Sequence, residues 1–328
     1  MASNRKRVVV PSSMGAGGRR LLDARDDVEV VAFPPAISAD DFQALLRTGD
    51  VHATILGLTP FGETECALAH GLEVVARIGV GYDAIDVPAL TRRRVPLMLV
   101  GTANSSSVAE HALFFMLTLA KRGADIDALV RAGRWADRLT AMPVDLFGKT
   151  VLVVGFGRTG TRVATRCLAM EMTVIVCDPY LPADVVRAAG CEPAADLDAA
   201  LARADFVTIH CPRNAETIGM FGAARLRRMK KSAYLVNTAR GGIVDEAALH
   251  AALTAGTIAG AGVDVFDPEP PPADHPLLRL ANFVTSPHMA GVTRESMDRM
   301  AVQAADNVLS VFDGKPIREN AVNPEVFV

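Results

Sequence analysis

Three short segments carry residues able to hold an anion or move a proton: Asn237-Thr238-Ala239-Arg240-Gly241-Gly242, Asp264-Val265-Phe266-Asp267-Pro268-Glu269-Pro270 and Ser286-Pro287-His288. A histidine ordinarily titrates near pH 6.5, so His288 suits a role as proton donor or acceptor. A carboxylate that reaches the imidazole, here Glu269, would orient it and favour its charged, donating form. The guanidinium of Arg240 is a rigid fork that grips a planar carboxylate and can polarise an adjacent carbonyl. Taken singly, each residue has a plainer role open to it, as a structural histidine, a solvated loop glutamate and a capping arginine. Each segment, however, rides on the end of an apolar run, at 233–236, 258–263 and 283–285. In an open α/β sheet, ligands bind outside the carboxyl ends of the strands, so the three together predict one site.

The runs belong to a longer series. Strand-like segments at 150–154, 173–177, 206–209, 233–236, 258–263 and 283–285 alternate with helical patterns, as βαβ units require. Asp245 reads as the N-cap of one of these helices and Gly256 as its C-cap. Gly155-Phe156-Gly157-Arg158-Thr159-Gly160 follows the first strand and opens a helix, whose amides can hold a pyrophosphate while the missing side chains permit close approach. The motif alone is weak, because Gly79-Val80-Gly81-Tyr82-Asp83-Ala84 fits its looser form and Gly15-Ala16-Gly17-Gly18 nearly does. Only the Gly155 copy precedes a second strand ending in an acid, Asp178, at the distance expected for a ribose contact. A carboxylate there accepts from the ribose and repels a 2′-phosphate, which favours NAD over NADP; a turn residue before Pro179 is the alternative reading.

Composition narrows the class. Among 328 residues, half are hydrophobic and 22% charged, and 34 basic against 37 acidic side chains give a net charge of −3. That balance offers no general attraction to nucleic acid, and the basic clusters Arg92-Arg93-Arg94 and 225–231 read as solvated helix faces. The apolar run at 8–10 is too short for a signal-peptide core, and the one at 112–120 is too short to span a bilayer, so no membrane role and a cytoplasmic location are expected. The five cysteines form no CxxC pair, and neither a metal site nor a disulfide framework is indicated.

The first hundred residues repeat the strand–helix grammar, with runs at 8–10, 28–31, 53–56, 74–76 and 97–100, and predict a second, smaller α/β domain. One amphipathic helix, about 295–312, follows His288. If it packs back on the first domain, that domain is discontinuous, residues 1–103 plus 293–328, around a dinucleotide-binding domain at 104–292. Crossovers near 101–105 and 291–294 would then form a hinge.

These residues resemble the D-isomer-specific 2-hydroxyacid dehydrogenase family. The likeness runs through Arg77-Ile78-Gly79-Val80-Gly81-Tyr82-Asp83, Val108-Ala109-Glu110-His111, the Gly155 loop and the three strand-end segments. It implies two Rossmann-like domains, a parallel NAD-binding sheet of six or more strands and a smaller, flavodoxin-like substrate domain. It implies that Arg240, Glu269 and His288 are catalytic, with His288 protonating the carbonyl oxygen of a small 2-keto acid as it becomes a D-2-hydroxy acid in a cleft between the domains. The amides of Val80 and Gly81 would bind the substrate carboxylate, with Arg77, Arg240 and Asn104 near the substrate. Asp264 would face the nicotinamide, while Gly155, Gly157, Arg158, Thr159, Gly160, Asp178, Cys211, Thr238 and Val108 would contact NAD. The resemblance further implies a homodimer using the helix at 108–120 and the Trp135 loop; the other reading of that helix is intramolecular core.

The sequence departs from the family at Arg213-Asn214-Ala215-Glu216-Thr217 and at Val292, which puts those loops' contacts in doubt. It is also expected to lack the regulatory extension of some phosphoglycerate dehydrogenases. Arg77 and a partner's Arg138 would meet a phosphate if the substrate is 3-phosphoglycerate; Arg77 as an exposed strand-end residue would suit hydroxypyruvate or glyoxylate. A different class, an NAD-sensing transcriptional corepressor similar to the C-terminal-binding proteins, would keep the fold and the trio but add tails and a peptide groove.

Overall fold

Alternation of apolar strands with amphipathic helices builds two separate, fully parallel sheets in the computed structural model, which describes residues 5–140 and 142–327. The chain divides accordingly into two units, Met1–Asn104 with Val292–Val328, and Ser105–Gly291.

In the first unit the strands are β1 (Lys6–Pro11), β2 (Val28–Phe33), β3 (Ala53–Leu56), β4 (Val74–Arg77) and β5 (Leu97–Met98), in the order β2-β1-β3-β4-β5. This is the flavodoxin-like order. All residues of β3 and β4 are buried, as strands covered on both faces must be. The apolar run at 97–100 yields only a two-residue strand because Leu99 leaves the ladder. Its N–H donates to Asn320 O at 2.8 Å, and its carbonyl accepts from Asn307 Nδ2 at 2.9 Å.

The helix Arg294–Phe312 returns to this unit, one residue longer than its sequence pattern, and fills one face of the core with Met300, Ala301, Ala304, Ala305 and Val308. It crosses the helix Ala16–Asp23 so closely that a Cβ on Gly18 would lie 2.1 Å from Ala301 O. Asn320 donates to Asn307, while Asn323 accepts from Leu97 N and donates to Val95 O, so the tail is pinned by buried amides as well as by apolar contact.

The second unit holds β6 (Thr150–Val154), β7 (Thr173–Cys177), β8 (Glu192–Pro193), β9 (Phe206–Ile209), β10 (Tyr234–Asn237), β11 (Gly260–Val263) and β12 (Phe283–Thr285). Their order, β12-β11-β10-β9-β6-β7-β8, reverses direction between β6 and β9, the dinucleotide-binding arrangement with one strand added. β8 has only two residues and no apolar run, which is why six strands were legible in the sequence and seven form. Asp245 caps the helix Glu246–Thr254, accepting from Ala248 N at 3.0 Å. Gly256, at φ +63°, lies one residue beyond the C-cap Ala255 and supplies the left-handed stop.

The helix Ser105–Lys121 covers one face of this sheet. Ala109, Ala112, Phe115 and Met116 join Val151, Val153, Phe206 and Val236 in the core, while Phe114 on the other side is exposed. Gly262 in β11 makes that packing possible, since a Cβ there would stand 2.8 Å from Phe115 Cβ. No helix among the described residues is long and apolar enough to cross a membrane.

Candidate active site

The carboxyl ends of β10, β11 and β12 are adjacent in the sheet, and the three strand-end segments leave from them side by side. Asn237, buried, shapes the first: its Oδ1 accepts from Ala239 N at 3.0 Å and its Nδ2 donates to Arg240 O at 2.9 Å. Arg240 Nη1 donates to Ala239 O at 2.7 Å, so the guanidinium is half-buried over its own loop. The next residue fixes this loop against the second. A Cβ on Gly241 would come within 1.9 Å of Phe266 O, and only glycine lets the two backbones pass that closely.

Beyond Phe266 the chain doubles back, and Phe266 N donates to Glu269 Oε1 at 2.9 Å. The other carboxylate oxygen, Oε2, lies 2.8 Å from His288 Nδ1. Glutamate accepts only, so Nδ1 carries a proton in this pair, and Nε2 is the nitrogen left for a reacting group. The His288 side chain is 46% exposed and that of Glu269 36%. His288 has φ +54°, a left-handed conformation that costs a non-glycine residue about 1 kcal/mol. Asp264 supports it. Its carbonyl accepts from His288 N at 2.8 Å, and its buried carboxylate accepts from Met289 N at 2.7 Å, Ala290 N at 2.9 Å and the Ser286 hydroxyl.

The glycine loop lies at the switch point of the same sheet. A Cβ on Gly155, at φ +90°, would lie 2.7 Å from Cys211 N, so the loop packs against the end of β9. A Cβ on Gly160 would reach Gly155 O at 2.0 Å, which draws the helix Gly160–Ala169 onto the loop. Gly157 faces open space, Arg158 is exposed, and Thr159 is the N-cap position of that helix. Asp178 makes the turn contact of its alternative reading. Its Oδ1 accepts from Tyr180 N in a turn at 3.0 Å, and its Oδ2 reaches back to Phe156 N at 2.8 Å, bracing the glycine loop while leaving lone pairs on both oxygens. Thr238 Oγ1 is buried with no partner. An open cradle over helix amides, an acid at the next strand end and an unpaired hydroxyl beside the trio fit a bound dinucleotide. Val108, half-buried, lies in the first turn of the helix Ser105–Lys121.

The two look-alike glycine loops both belong to the first unit. Gly17 N donates to Asp298 Oδ1 at 2.7 Å, and the same carboxylate would meet a Cβ on Gly17 at 2.7 Å, so the chain's own side chain stands where a phosphate would be held. Gly79, at φ +141°, turns the chain beside Arg77, which is buried at the end of β4 rather than exposed. Val80, Gly81 and Asn104 are half-buried residues of the first unit. No cluster of potential metal ligands is found among the described residues.

Residues 113–290 match the family model described as D-isomer-specific 2-hydroxyacid dehydrogenase, NAD-binding domain. The chain belongs to this family. It is 42% identical over 255 residues to a D-3-phosphoglycerate dehydrogenase of Archaeoglobus fulgidus, covering 78% of this chain and 48% of that protein. It is 38% identical over 284 residues to a glyoxylate reductase of Korarchaeum cryptofilum, covering 85% of each. A crystal structure of a glyoxylate reductase from Paecilomyes thermophila superimposes with a TM-score of 0.86 at 26% identity, over 98% of this chain and 99% of that one. The chain spans about half the length of several phosphoglycerate dehydrogenases it matches, from 42% to 59%.

Two features of the site have no signal in the sequence pattern. Arg213, where the chain departs from the family, donates to Asp267 Oδ2 at 2.6 Å and so ties the loop after β9 to the loop that bears Glu269. His111 and Ser286 are hydrogen-bonded at 2.8 Å across 175 residues of sequence.

The residue before Cys211 makes stability sensitive to acid. Burial pushes His210 down to about 3 from an ordinary 6.5, and pushes the Cys211 thiol up to about 11. The folded state therefore keeps His210 neutral while the unfolded chain takes a proton below pH 6.5. Its contribution is complete above 6.5 and declines as pH falls towards about 3. The melting temperature should fall across this window, and the fall should be shallower in His210→Asn; equal slopes in the two proteins would contradict the assignment.

Proposed function

We propose that this chain is an NAD-dependent oxidoreductase that interconverts a 2-keto acid and a D-2-hydroxy acid. The observation that carries the reading is the 2.8 Å pairing of His288 Nδ1 with Glu269 at the sheet edge that also bears Arg240 and the Gly155 loop. When bound, NAD supplies the hydride acceptor, or in its reduced form the donor. Gly155, Gly157, Arg158, Thr159 and Gly160 hold the pyrophosphate and Asp178 the ribose. Cys211, Thr238 and Val108 line the cofactor, and Asp264 faces the nicotinamide. Arg240 grips the substrate carboxylate with the amides of Val80 and Gly81. His288 Nε2 gives its proton to the carbonyl oxygen during reduction and takes it back in the reverse direction, while Glu269 holds the ring through Nδ1. Arg77 and Asn104 contact the rest of the substrate, of the hydroxypyruvate, glyoxylate or 3-phosphoglycerate type. Burial of Arg77 at a strand end keeps a phosphorylated substrate in view.

The working unit in this proposal is a cytoplasmic homodimer. Phe114, Val130, Trp135, Leu139, Met142 and Phe147 are all more than half exposed within one stretch of the second unit, an apolar surface of the kind buried by a partner. Sedimentation should therefore show a dimer, and Phe147→Glu should shift it towards monomer; a wild-type monomer at micromolar concentration contradicts this part.

The reaction is tested by NADH oxidation with hydroxypyruvate, glyoxylate, pyruvate and 3-phosphohydroxypyruvate. At least one should be reduced, and His288→Ala should lower kcat about 100-fold or more with little change in NADH affinity. Binding of NADH with turnover of none of these acids would favour the corepressor reading instead. For the cofactor, kcat/KM with NADH should exceed that with NADPH, and Asp178→Asn should narrow the ratio by roughly tenfold as charge repulsion is removed. Equal efficiency with both cofactors in the wild type would refute the role given to Asp178.

A further inference from the structure

The turn that carries His288 is held at its far side by a chain of three side chains, none of which moves the proton or grips the substrate. Asp264 accepts from the Ser286 hydroxyl, and Ser286 Oγ lies 2.8 Å from His111 Nε2. The direction of each bond is fixed by chemistry. A carboxylate only accepts, so the serine proton points to Asp264, and the remaining lone pair of Ser286 must accept from a proton on His111 Nε2. His111 is therefore the Nε2–H tautomer, and its burial lowers its pKa, which keeps it neutral. The Asp264 carboxylate acts the other way and raises that pKa, and the rings of Phe115, edge-on at 4.6 Å, and Phe114, tilted at 5.3 Å, fix the orientation of His111.

We propose that His111 is a positioning residue for His288, acting through Ser286 and Asp264. The inference rests on the catalytic role proposed for His288. His111 stands on the helix Ser105–Lys121, which is packed through Phe115 against Gly262 of β11, the strand that runs into Asp264. Its N–H prevents the Ser286 hydroxyl from rotating away from Asp264. Asp264 then presents one oxygen to Met289 N and Ser286 and the other to Ala290 N, while its carbonyl receives His288 N. The turn at 286–290 is thereby held on both sides of a residue whose backbone is left-handed, and the imidazole keeps its 2.8 Å approach to Glu269. A general acid displaced by a fraction of an ångström loses its alignment with the reacting oxygen, so the effect should fall on turnover and not on cofactor binding.

Three variants of the full-length protein test this. His111→Phe keeps ring volume and removes the donor, Ser286→Ala breaks the chain in its middle, and His111→Gln places an amide N–H near the position of Nε2. Kinetics are read alongside NADH affinity, and NMR of ring-labelled histidines in the ligand-free protein reports the His288 Nδ1–H bonded to Glu269, identified by its loss in His288→Asn. His111→Phe and Ser286→Ala should lower kcat about tenfold at unchanged NADH affinity and displace the His288 resonance, and His111→Gln should restore both to within about threefold. The proposal is overturned if His111→Phe leaves kcat and the His288 resonance unchanged, or if His111→Gln is as impaired as His111→Phe. Should the wild type reduce no 2-keto acid, the reaction proposed above fails, while the resonance of the ligand-free protein still decides whether His111 positions His288.

Discussion

Arg240 and Glu269 belong to loops from different strands, and what brings those loops together is a backbone contact with no side chain in it. Gly241 passes the carbonyl of Phe266 at a distance that excludes even a methyl group. From that contact the geometry propagates outward. Phe266 N fixes Glu269, Glu269 fixes the imidazole of His288, and the backbone of His288 returns to Asp264 on the same loop as Phe266. The closed circuit makes the carboxylate–imidazole distance a property of the sheet edge, whose parallel register places the ends of β10, β11 and β12 next to one another. Flexible side chains alone would not hold such a distance against their rotamer entropy.

Two glycine-rich turns show how the same local grammar acquires different uses. Around Gly155 the turn is pressed against β9 and its own helix, and the position opposite Gly157 is left open. Around Gly17 a helix amide meets Asp298 from a segment 281 residues away. Both turns lie at a helix start, where the backbone amides attract an anion. In one the anion is a side chain of the chain itself, which is why the pattern alone overcounts binding sites.

Much of this arrangement was legible in the sequence. Buried parallel strands read as apolar runs, and the ionisable residue closing a run stands at the edge where such sheets bind ligands, so Arg240, Glu269 and His288 group together from the sequence alone. Strand ends were less legible, because they depend on partners far along the chain: Leu99 leaves its ladder for Asn320 and Asn307. β8 was invisible, since two residues beside a strand carry no periodicity. The link between His111 and Ser286 left no trace either, as a hydrogen bond across two distant segments imposes no spacing on either one. Arg77 reads from its charge as a surface residue and is buried, which only the packing around β4 reveals.

The return of the helix Arg294–Phe312 to the first sheet has a consequence for how the protein is made. Without Met300, Ala301, Ala304 and Val308, one face of that sheet, including Val8, Val10 and Ala76, loses part of its cover. These partners leave the ribosome only after the whole of the second unit. The second unit is continuous in sequence, whereas the first completes this face only with residues 294–312. Residues 6–98 are thus translated ahead of the second unit, yet their core is completed by residues translated after it.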